Sequence, residues 1–514
     1  MLFNSYEFLV FLPVCVGGYL ALTRSRWDGA GMTWLLLASA IFYTWWKPAD
    51  LFVLASSVVV NFRLGQMISR DRSRSLLAIG IALNLGLLGY FKYTGFLLGT
   101  LGLADHDFAQ IALPLGISFF TFQQIAYLVD AYRGEGSHAP LKHYALFVSF
   151  FPQLIAGPIV HHKELLPQFS SAWQSKRNRW NDIAIGFSIF AIGLFKKAVL
   201  ADRIAPYVQD AFGAVESGAD PSLIFAWQAV IGYGLQLYFD FSGYCDMAIG
   251  AARMLGIELP VNFASPYKSR NISEFWRRWH ITLSQFLRDY LYFPLGGSRH
   301  GTPRTLRNLM ITMALGGLWH GAGWNFVVWG ILHGMFLCVA HAWGMARNRI
   351  DPERKIEKTV AYSFAASGLT FLCVSMAWAF FRAESSAAAM RLVNGLFGFN
   401  GVDIPIALHR KAADMGLGFE TFGIAASDAG TTMFVSFSAW ILVLLGIVWC
   451  LPNTSEIAGL SDAVVATQIS NARRTPRNRF AWAPNRRWAM MSGLLLAIGI
   501  LSLPEVSVFL YFQF

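Results

Sequence analysis

Two histidines and an aspartate stand inside otherwise apolar stretches of the chain, and their types allow acid–base chemistry. His320 lies in the run GGLWHG, His280 in FWRRWH and Asp240 in YFDFSG. Ionisable side chains at membrane depth are energetically costly and by default indicate a functional site. A neutral imidazole can accept a proton, so His320 is a candidate general base for attack by a hydroxyl group.

Each of these stretches also has a purely structural interpretation. Asp240 and the nearby Asp246 would then hydrogen-bond to neighbouring helices and hold a bundle together. The tryptophans and arginines before His280 would form an interfacial belt, and the glycines around His320 would let two helices pack closely. The residues alone leave both interpretations open.

Helical spacing would give each histidine neighbours on its own face. If residues 276–284 form one helix, Trp276, His280 and Ser284 share a face. His320 and Trp324 are likewise predicted to share a helical face.

Membrane helices must position these residues, because the composition excludes a soluble protein. Of the 514 residues, 55% are hydrophobic and only 14% are charged, whereas soluble domains carry about 25% charged residues. Long apolar runs recur from end to end, which favours helices over the alternating strands of a β-barrel. The sequence predicts an all-α polytopic membrane protein with roughly 11 to 13 membrane segments, some of them re-entrant.

The net charge of +11 indicates cytoplasmic loops rather than nucleic-acid binding. Residues 268–307 form one basic stretch that is predicted to face the cytoplasm, and an Arg-rich loop at about 452–487 is predicted to do the same. No soluble domain is apparent. We expect a single membrane domain over residues 1–514, with its motif core at about 150–345.

Two apolar stretches are interrupted by residues that break helices. Residues 151–158 contain two prolines and a glycine, and residues 281–297 contain Arg288, Asp289 and Pro294. Irregular backbone at membrane depth persists only where protein buries it or where it lines a cavity. Both stretches are therefore predicted to be broken helices.

Metal-site and hydrolase patterns receive no support. His161 and His162 are adjacent and would diverge on a helix, while His320 and His333 are far apart, so neither pair has the usual spacing of zinc ligands. A G-x-S-x-G elbow and a Walker loop are both missing from the sequence.

Two further patterns are assigned no function. His409 and Asp414 form an H-x4-D pattern in a loop-like stretch, which we attribute to chance. The five cysteines lie in apolar segments without a CxxC pair and are predicted to be buried free thiols.

The motifs, taken in order, resemble those of the membrane-bound O-acyltransferase (MBOAT) family. Within it they are most similar to the bacterial polysaccharide O-acetyltransferases, the branch that includes the alginate O-acetyltransferase AlgI. The stretches that carry the resemblance are LIAGPI (154–159), YFDFSGY (238–244), EFWRRWH (274–280), RDYLY (288–292) and GGLWHG (316–321). The resemblance extends over nearly the whole chain and is weakest at residues 398–432.

The resemblance implies a fold, a reaction and catalytic residues. The fold is a ring of tilted helices around a central tunnel that links the cytoplasm to the outer face. The reaction moves an acetyl group from a cytoplasmic thioester, most simply acetyl-CoA, towards an extracytoplasmic polysaccharide. The family's key histidine matches His320, and a second, usually polar, position matches His280. His320 would act as general base, and an acyl-imidazole on His320 is the alternative mechanism.

Other residues are expected to bind or orient the substrates. Basic side chains would attract the phosphates of the donor, and polar groups beside His320 would orient the acceptor or stabilise an oxyanion. The expected substrate- and donor-binding residues are Arg277, Arg278, Trp279, Arg288, Asp289, Tyr290, Trp319, Trp324, Asn325 and Asp240. No metal ion or redox cofactor is expected.

The resemblance also implies a location and partners. We expect a multi-pass protein of the bacterial inner (cytoplasmic) membrane, in contact with lipid and with a periplasmic SGNH-type acetyltransferase or other polysaccharide-modification proteins. Alginate or a similar exopolysaccharide is the expected acceptor, with peptidoglycan or cellulose as alternatives by the same chemistry. A non-enzymatic conduit or scaffold of a polysaccharide secretion complex is the rival class. An ion-relaying transporter is disfavoured because no inverted repeat is visible.

Overall fold

The computed structural model describes most of the chain, namely residues 1–23, 29–103, 112–136, 139–155, 157–170, 174, 177–353, 355–460, 480–503 and 510. The chain divides into two compact units. The first comprises Met1–Ala198, Ser242–Asn262 and Thr454–Phe512, and the second comprises Val199–Phe241, Phe263–Asn453 and Gln513–Phe514. Residues 461–479 of the Arg-rich stretch lie outside the described residues, so its cytoplasmic placement stays a prediction.

Helices build the first unit. Its helices up to residue 195 are α1 (Tyr6–Thr23), α2 (Ala30–Thr44), α3 (Asp50–Asp71), α4 (Arg74–Leu88), α5 (Thr94–Thr100), α6 (Ile117–Arg133), α7 (Leu141–Ser149), α8 (Phe151–Leu154), α9 (His162–Leu165) and α10 (Arg179–Phe195). A π-helical turn joins α4 to α5, and a second one, Lys196–Ala201, follows α10. Helices α3 and α4 both pack on α6.

The second unit is also largely helical. The following helices are α11 (Asp202–Glu216), α12 (Leu223–Met254), α13 (Ile272–Arg278), α14 (Ile281–Leu287), α15 (Thr302–His320), α16 (Trp324–Ile350), α17 (Val360–Arg382), α18 (Ser386–Leu396), α19 (Ile406–Asp414) and α20 (Thr431–Cys450). Helix α12 begins in this unit and ends in the first. The chain then returns to the first unit with α21 (Thr454–Ala458) and α22 (Arg486–Leu501).

A small parallel sheet interrupts the helices near the weakest part of the resemblance. Strand β1 (Val402–Pro405) pairs with β2 (Ile424–Ser427), and α19 lies between them in the chain. The prediction that His409 and Asp414 lie in a loop is wrong, because both are on α19, where the His409 Nε2 atom lies 3.2 Å from the Ile424 carbonyl oxygen.

Seven helical stretches in the described residues are long and apolar enough to cross a bilayer. They are Tyr6–Thr23, Asp50–Asp71, Arg74–Thr100, Arg179–Glu216, Trp324–Ile350, Val360–Arg382 and Thr431–Cys450, and α2 is a shorter apolar helix. The predicted class, an all-α polytopic membrane protein, is confirmed. The predicted number of segments also counted short and broken pieces and stays a prediction.

Both predicted helix breaks are present. Helix α8 has only four residues, and the described chain between it and α9 is not helical, as its prolines require. Helix α14 passes into a π-helical turn, Arg288–Tyr292, and then into non-helical turns before α15. Short π-helical turns inside helices occur frequently at functional sites.

The five cysteines are free thiols, as predicted, but they are not all buried. Cys15 and Cys245 are buried, Cys338 and Cys373 are partly buried, and Cys450 is exposed. The prediction of uniform burial is wrong because a membrane helix carries apolar residues on its lipid-facing surface as well as in the protein interior.

Candidate active site

His320 is the last residue of α15 and is only 6% exposed. Its ring centroid lies 5.0 Å from that of Trp319, 5.1 Å from Trp329 and 5.3 Å from Phe381, each in an edge-to-face arrangement. These rings come from α15, α16 and α17 of the second unit. The candidate base is therefore enclosed by aromatic side chains from three helices.

The position of His320 depends on a break between α15 and α16. The backbone is extended at Gly321, and α16 begins only at Trp324. The chain reverses there, and the two helices pack so closely that a Cβ added to Gly330 would lie 3.1 Å from the Gly317 Cα. The prediction that Trp324 shares a helical face with His320 is therefore wrong, and Trp324 is 58% exposed.

His280 lies at a second irregularity of the backbone. Helix α13 ends at Arg278, Trp279 is extended, and His280 has a left-handed φ of 43° before α14 begins. This conformation is costly for a residue other than glycine and persists only where the surrounding structure enforces it. The prediction that Trp276, His280 and Ser284 share one helical face is wrong, because the helix is interrupted between them.

The structure brings the two predicted catalytic histidines together. The ring centroids of His280 and His320 are 6.3 Å apart, with 62° between the ring planes. The Trp319 ring contacts both, at 6.2 Å and 5.0 Å. Phe241 packs edge-to-face on His280 at 4.8 Å, and His280 is fully buried. Two imidazoles from separate motifs thus line one aromatic cluster.

A third histidine, His333, belongs to the same cluster and was not predicted as a site residue. It is fully buried, with its ring 4.7 Å from Trp329 and 5.2 Å from Trp276. Both of its ring nitrogens and the two indole nitrogens of these tryptophans lack a hydrogen-bond partner within the described part of the chain. The i, i+4 spacing of Trp329 and His333 on α16 is the sequence signal that could have indicated it.

The two arginines predicted to bind the donor differ in their availability. Arg277 is exposed. The Arg278 guanidinium donates to Glu274 Oε1 at 2.8 and 3.0 Å and to the Ala264 carbonyl at 3.1 Å. Asn271 caps the same helix by accepting from the Glu274 N–H. Arg278 therefore stabilises α13 and the chain before it, whereas the charge of Arg277 faces outward.

Residues of the π-helical turn pair with one another. Arg288 Nε and Nη2 lie 2.7 and 2.9 Å from the two carboxylate oxygens of Asp289, and the guanidinium lies over the Phe293 ring. Tyr290 packs on Phe286 with ring centroids 5.0 Å apart. Asp289 thus partly neutralises Arg288, and the expected role of this turn in donor binding stays a prediction.

Trp279 and Asp240 are both buried in the second unit, at 3% and 2% exposure. The Trp279 ring stacks on Phe275 at 5.6 Å and contacts Trp378 of α17 at 5.2 Å. Since Trp378 in turn lies 5.7 Å from Trp329, Trp279 belongs to the aromatic wall around the histidines.

Asn325 is held by two hydrogen bonds. Its Nδ2 donates to the Ala383 carbonyl at 2.9 Å, and its Oδ1 accepts from Ser386 Oγ at 2.7 Å. The amide therefore ties the start of α16 to the end of α17 and the start of α18. The expected contact of Asn325 with an oxyanion or the acceptor stays a prediction.

In the first unit, Asp246 has a structural role. This role was one of the two interpretations that the sequence left open. Its Oδ2 accepts from Lys196 Nζ at 2.7 Å and from Thr454 Oγ1 at 2.6 Å. The carboxylate thereby connects α12 to the π-helical turn after α10 and to α21.

One group of side chains in the described residues has the types needed to hold a metal ion. It consists of Asp130, His161 and His162 of the first unit. The prediction that the adjacent histidines diverge is wrong, because His161 precedes α9 as its N-cap and both rings reach Asp130.

Known proteins resemble this chain over most of its length. Residues 75–377, which include both histidine motifs, match the MBOAT family, described as the membrane-bound O-acyltransferase family. The whole chain is 39% identical to a peptidoglycan O-acetyltransferase of Helicobacter pylori, covering 98% of that protein. It is 40% identical to a probable alginate O-acetylase AlgI of Azotobacter vinelandii, with 78% of each chain covered. It is 30% identical to a teichoic acid D-alanyltransferase of Streptococcus thermophilus, over 47% of this chain and 60% of that protein.

Proposed function

The chain belongs to the membrane-bound O-acyltransferase family, and from this premise we propose that it moves an acetyl group from cytoplasmic acetyl-CoA to a hydroxyl group of an extracytoplasmic glycan, with His320 as general base. That it is a multi-pass membrane acyltransferase of the O-acetyltransferase type follows from its relatives and its apolar helices. The observation that carries the finer proposal is the pairing of His280 and His320 in one buried aromatic cluster.

In the proposed reaction His320 takes the proton of the acceptor hydroxyl as its oxygen attacks the thioester carbonyl. A C–O bond forms, and the C–S bond breaks when the tetrahedral intermediate collapses. The imidazolium then returns the proton to the departing CoA thiolate. A positioned base of this kind contributes about 10²–10⁴-fold to the rate.

His280 is proposed to assist this step. With ring centroids 6.3 Å apart, both imidazoles can contact one small substrate group. His280 would donate a hydrogen bond to the oxyanion or orient the acceptor hydroxyl. The surrounding rings would exclude the water that hydrolyses a thioester.

Buried nitrogen atoms close to the histidine pair favour a substrate that carries polar groups. The indole N–H groups of Trp276 and Trp329 and the nitrogens of His333 have no protein partner among the described residues, although buried polar groups are normally hydrogen-bonded. Amide and carbonyl groups such as those of a pantetheine arm would satisfy them.

Peptidoglycan is the acceptor to test first. The similarity to the peptidoglycan O-acetyltransferase extends over this entire chain, whereas that to the alginate O-acetylase covers 78% of it. Alginate, the acceptor that the sequence favoured, is the second candidate, because several relatives of that name are about equally identical. We further propose an inner-membrane location and a periplasmic SGNH-type partner protein.

The test is the ester-bound acetate on separated peptidoglycan and exopolysaccharide. Cells lacking the protein would be complemented with the wild type, His320→Ala or His409→Ala at matched membrane levels. We expect one polymer to lose acetate and only the wild type and His409→Ala to restore it. Full restoration by His320→Ala would indicate a scaffold or conduit instead, and failure of the purified protein to consume labelled acetyl-CoA would indicate a transporter.

The general-base and acyl-imidazole mechanisms differ in whether the acetyl group becomes covalently attached to the enzyme. Incubation with radiolabelled acetyl-CoA without acceptor should leave the protein unlabelled if His320 is a general base. A label that peptide mapping places on His320 would establish the acyl-imidazole mechanism in its place.

A further inference from the structure

Outside the aromatic cluster, the first unit contains a compact group of one carboxylate and two imidazoles. Asp130, near the end of α6, is 1% exposed, and the Asp130 Oδ2 atom lies 2.6 Å from His161 Nε2 and 3.7 Å from His162 Nδ1. One ligand atom from each residue lies within 4.8 Å of the others. None of the three is part of the proposed acetyl-transfer site.

The surroundings of His162 determine which of its nitrogens carries the proton. His162 Nε2 lies 3.3 Å from the Glu135 carbonyl oxygen. A carbonyl oxygen only accepts hydrogen bonds, so Nε2 is the protonated nitrogen and the Nδ1 of the neutral ring carries a lone pair. Nδ1 is buried and has no hydrogen-bond partner among the described residues, and the nearest oxygen of Asp130 is also an acceptor.

Two acceptors that face each other in a buried place repel unless a proton or a metal cation lies between them. Histidine ligands of metals commonly donate their second ring N–H to a backbone carbonyl, as His162 does to Glu135. Ligands on one tetrahedral zinc ion, at about 2.1 Å from the metal, are roughly 3.4 Å apart. The 3.7 Å between His162 Nδ1 and Asp130 Oδ2 is close to that separation.

From this geometry we propose that Asp130, His161 and His162 form a zinc-binding site that fastens the end of α6 to the start of α9. Three protein ligands leave a fourth position for water. Two imidazoles favour zinc over the hard cations Mg²⁺ and Ca²⁺, which select oxygen ligands. The two histidines follow directly after the broken segment at residues 151–158.

Zinc binding requires two local rearrangements. Without metal, His161 Nδ1 accepts from the Lys163 N–H at 3.3 Å, and Nε2 donates to Asp130. Zinc replaces that Nε2 proton, which moves to Nδ1, so the contact with the Lys163 N–H is lost. Arg133 and Lys163 lie 3.6 and 3.8 Å from Asp130, but their side chains are 41% and 44% exposed. Because the two cations are partly exposed, water can solvate them when zinc takes over the compensation of the buried Asp130 carboxylate.

The experiment measures zinc binding by the full-length protein in detergent, with any histidine tag removed and bound metal stripped by a chelator. We expect about one zinc ion per chain and a rise in melting temperature on adding Zn²⁺ that equal Mg²⁺ does not cause. His162→Gln and the isosteric Asp130→Asn should each weaken zinc binding by at least roughly tenfold. His143→Ala, which removes a histidine of α7 outside the cluster, should bind zinc like the wild type.

Two results would overturn the proposal. One is a wild type whose melting temperature and metal content do not respond to Zn²⁺, which would leave the cluster as ion pairs alone. The other is zinc binding of unchanged affinity in both cluster variants. If a variant does not fold, comparing Zn²⁺ with Mg²⁺ on the wild type still tests whether the protein binds zinc. The readout does not depend on acetyl transfer, so the proposal stands or fails separately from the proposed function.

Discussion

Two polar clusters, one around Arg177 in the first unit and one around His320 in the second, are held in opposite ways. In the first unit, Arg177 lies 2.6 Å from oxygens of both Asp182 and Glu258, and Arg253 contacts the same two carboxylates. In the second unit, aromatic rings and the ring of another histidine lie around His320. The first arrangement compensates charge with charge, whereas the second encloses imidazoles in an apolar wall.

This difference indicates different roles. A buried ion pair loses stability when one partner is removed, because the other is left as an uncompensated charge. The histidine pair is instead surrounded by aromatic rings, and a neutral imidazole in such a site is suited to accept a proton. We therefore expect substitutions in the first unit to lower stability and substitutions of the histidine pair to lower activity.

The largest expected effect is that of His320→Ala on acetyl transfer. Loss of the base should lower the turnover of acetyl-CoA by about 10²–10⁴-fold, while the melting temperature changes little. Release of free CoA thiol by the purified enzyme measures turnover, and thermal denaturation of the same samples measures the melting temperature, with His409→Ala as the control for both. Turnover within a few-fold of the wild type would remove His320 from the reaction.

His280→Ala should lower turnover by roughly 10²-fold, the loss typical of one oxyanion donor. His280→Asn should retain more activity, because asparagine tolerates the left-handed backbone that His280 adopts and still offers an N–H. Separate measurement of kcat and KM for both variants tests whether His280 assists the chemical step. Equal activities of the two variants would assign His280 to packing.

In the first unit, Asp182→Ala should destabilise the protein by about 3–5 kcal/mol, because it leaves Arg177 and Arg253 without that carboxylate. The folded fraction should retain wild-type turnover per molecule. Denaturation monitored by tryptophan fluorescence, together with the CoA-release assay, separates the two effects. A loss of turnover at unchanged stability would contradict the contrast between the units.

The smallest expected effect lies at the surface of the second unit. Arg277→Glu should raise KM for acetyl-CoA by roughly fivefold, since exposed charges act weakly, whereas Arg299→Glu, a second exposed arginine of the basic stretch, should change it less. Titration with acetyl-CoA at low ionic strength measures the KM of both variants. An unchanged KM for Arg277→Glu would leave the basic stretch with a topological role only.

Features that depend on a single segment were predictable from the sequence. Apolar runs indicated the all-α membrane class, and the prolines and charges at residues 151–158 and 281–297 indicated both helix breaks. The GGLWHG and FWRRWH motifs indicated His320 and His280, which the structure places together. These signals are local, because hydropathy, proline and motif spacing act within one stretch of chain.

Features that depend on which segments meet could not be predicted. Helical spacing placed Trp324 beside His320, but the chain reverses at Gly321 and Trp324 faces outward. Phe381 of α17 carries no motif, yet it packs on His320. Similarly, Asn325 is occupied by hydrogen bonds to residues far along the chain.

The sequence by itself determined a helical membrane protein with two interrupted segments and a histidine motif of the acyltransferase type. Only the tertiary structure decided that His280 adopts a left-handed backbone, that His333 joins the aromatic cluster, and that Asp130 meets His161 and His162. The physical reason is that periodicity describes one face of one helix. The partners of a side chain are set by packing between helices and by the non-helical residues at which the chain changes direction.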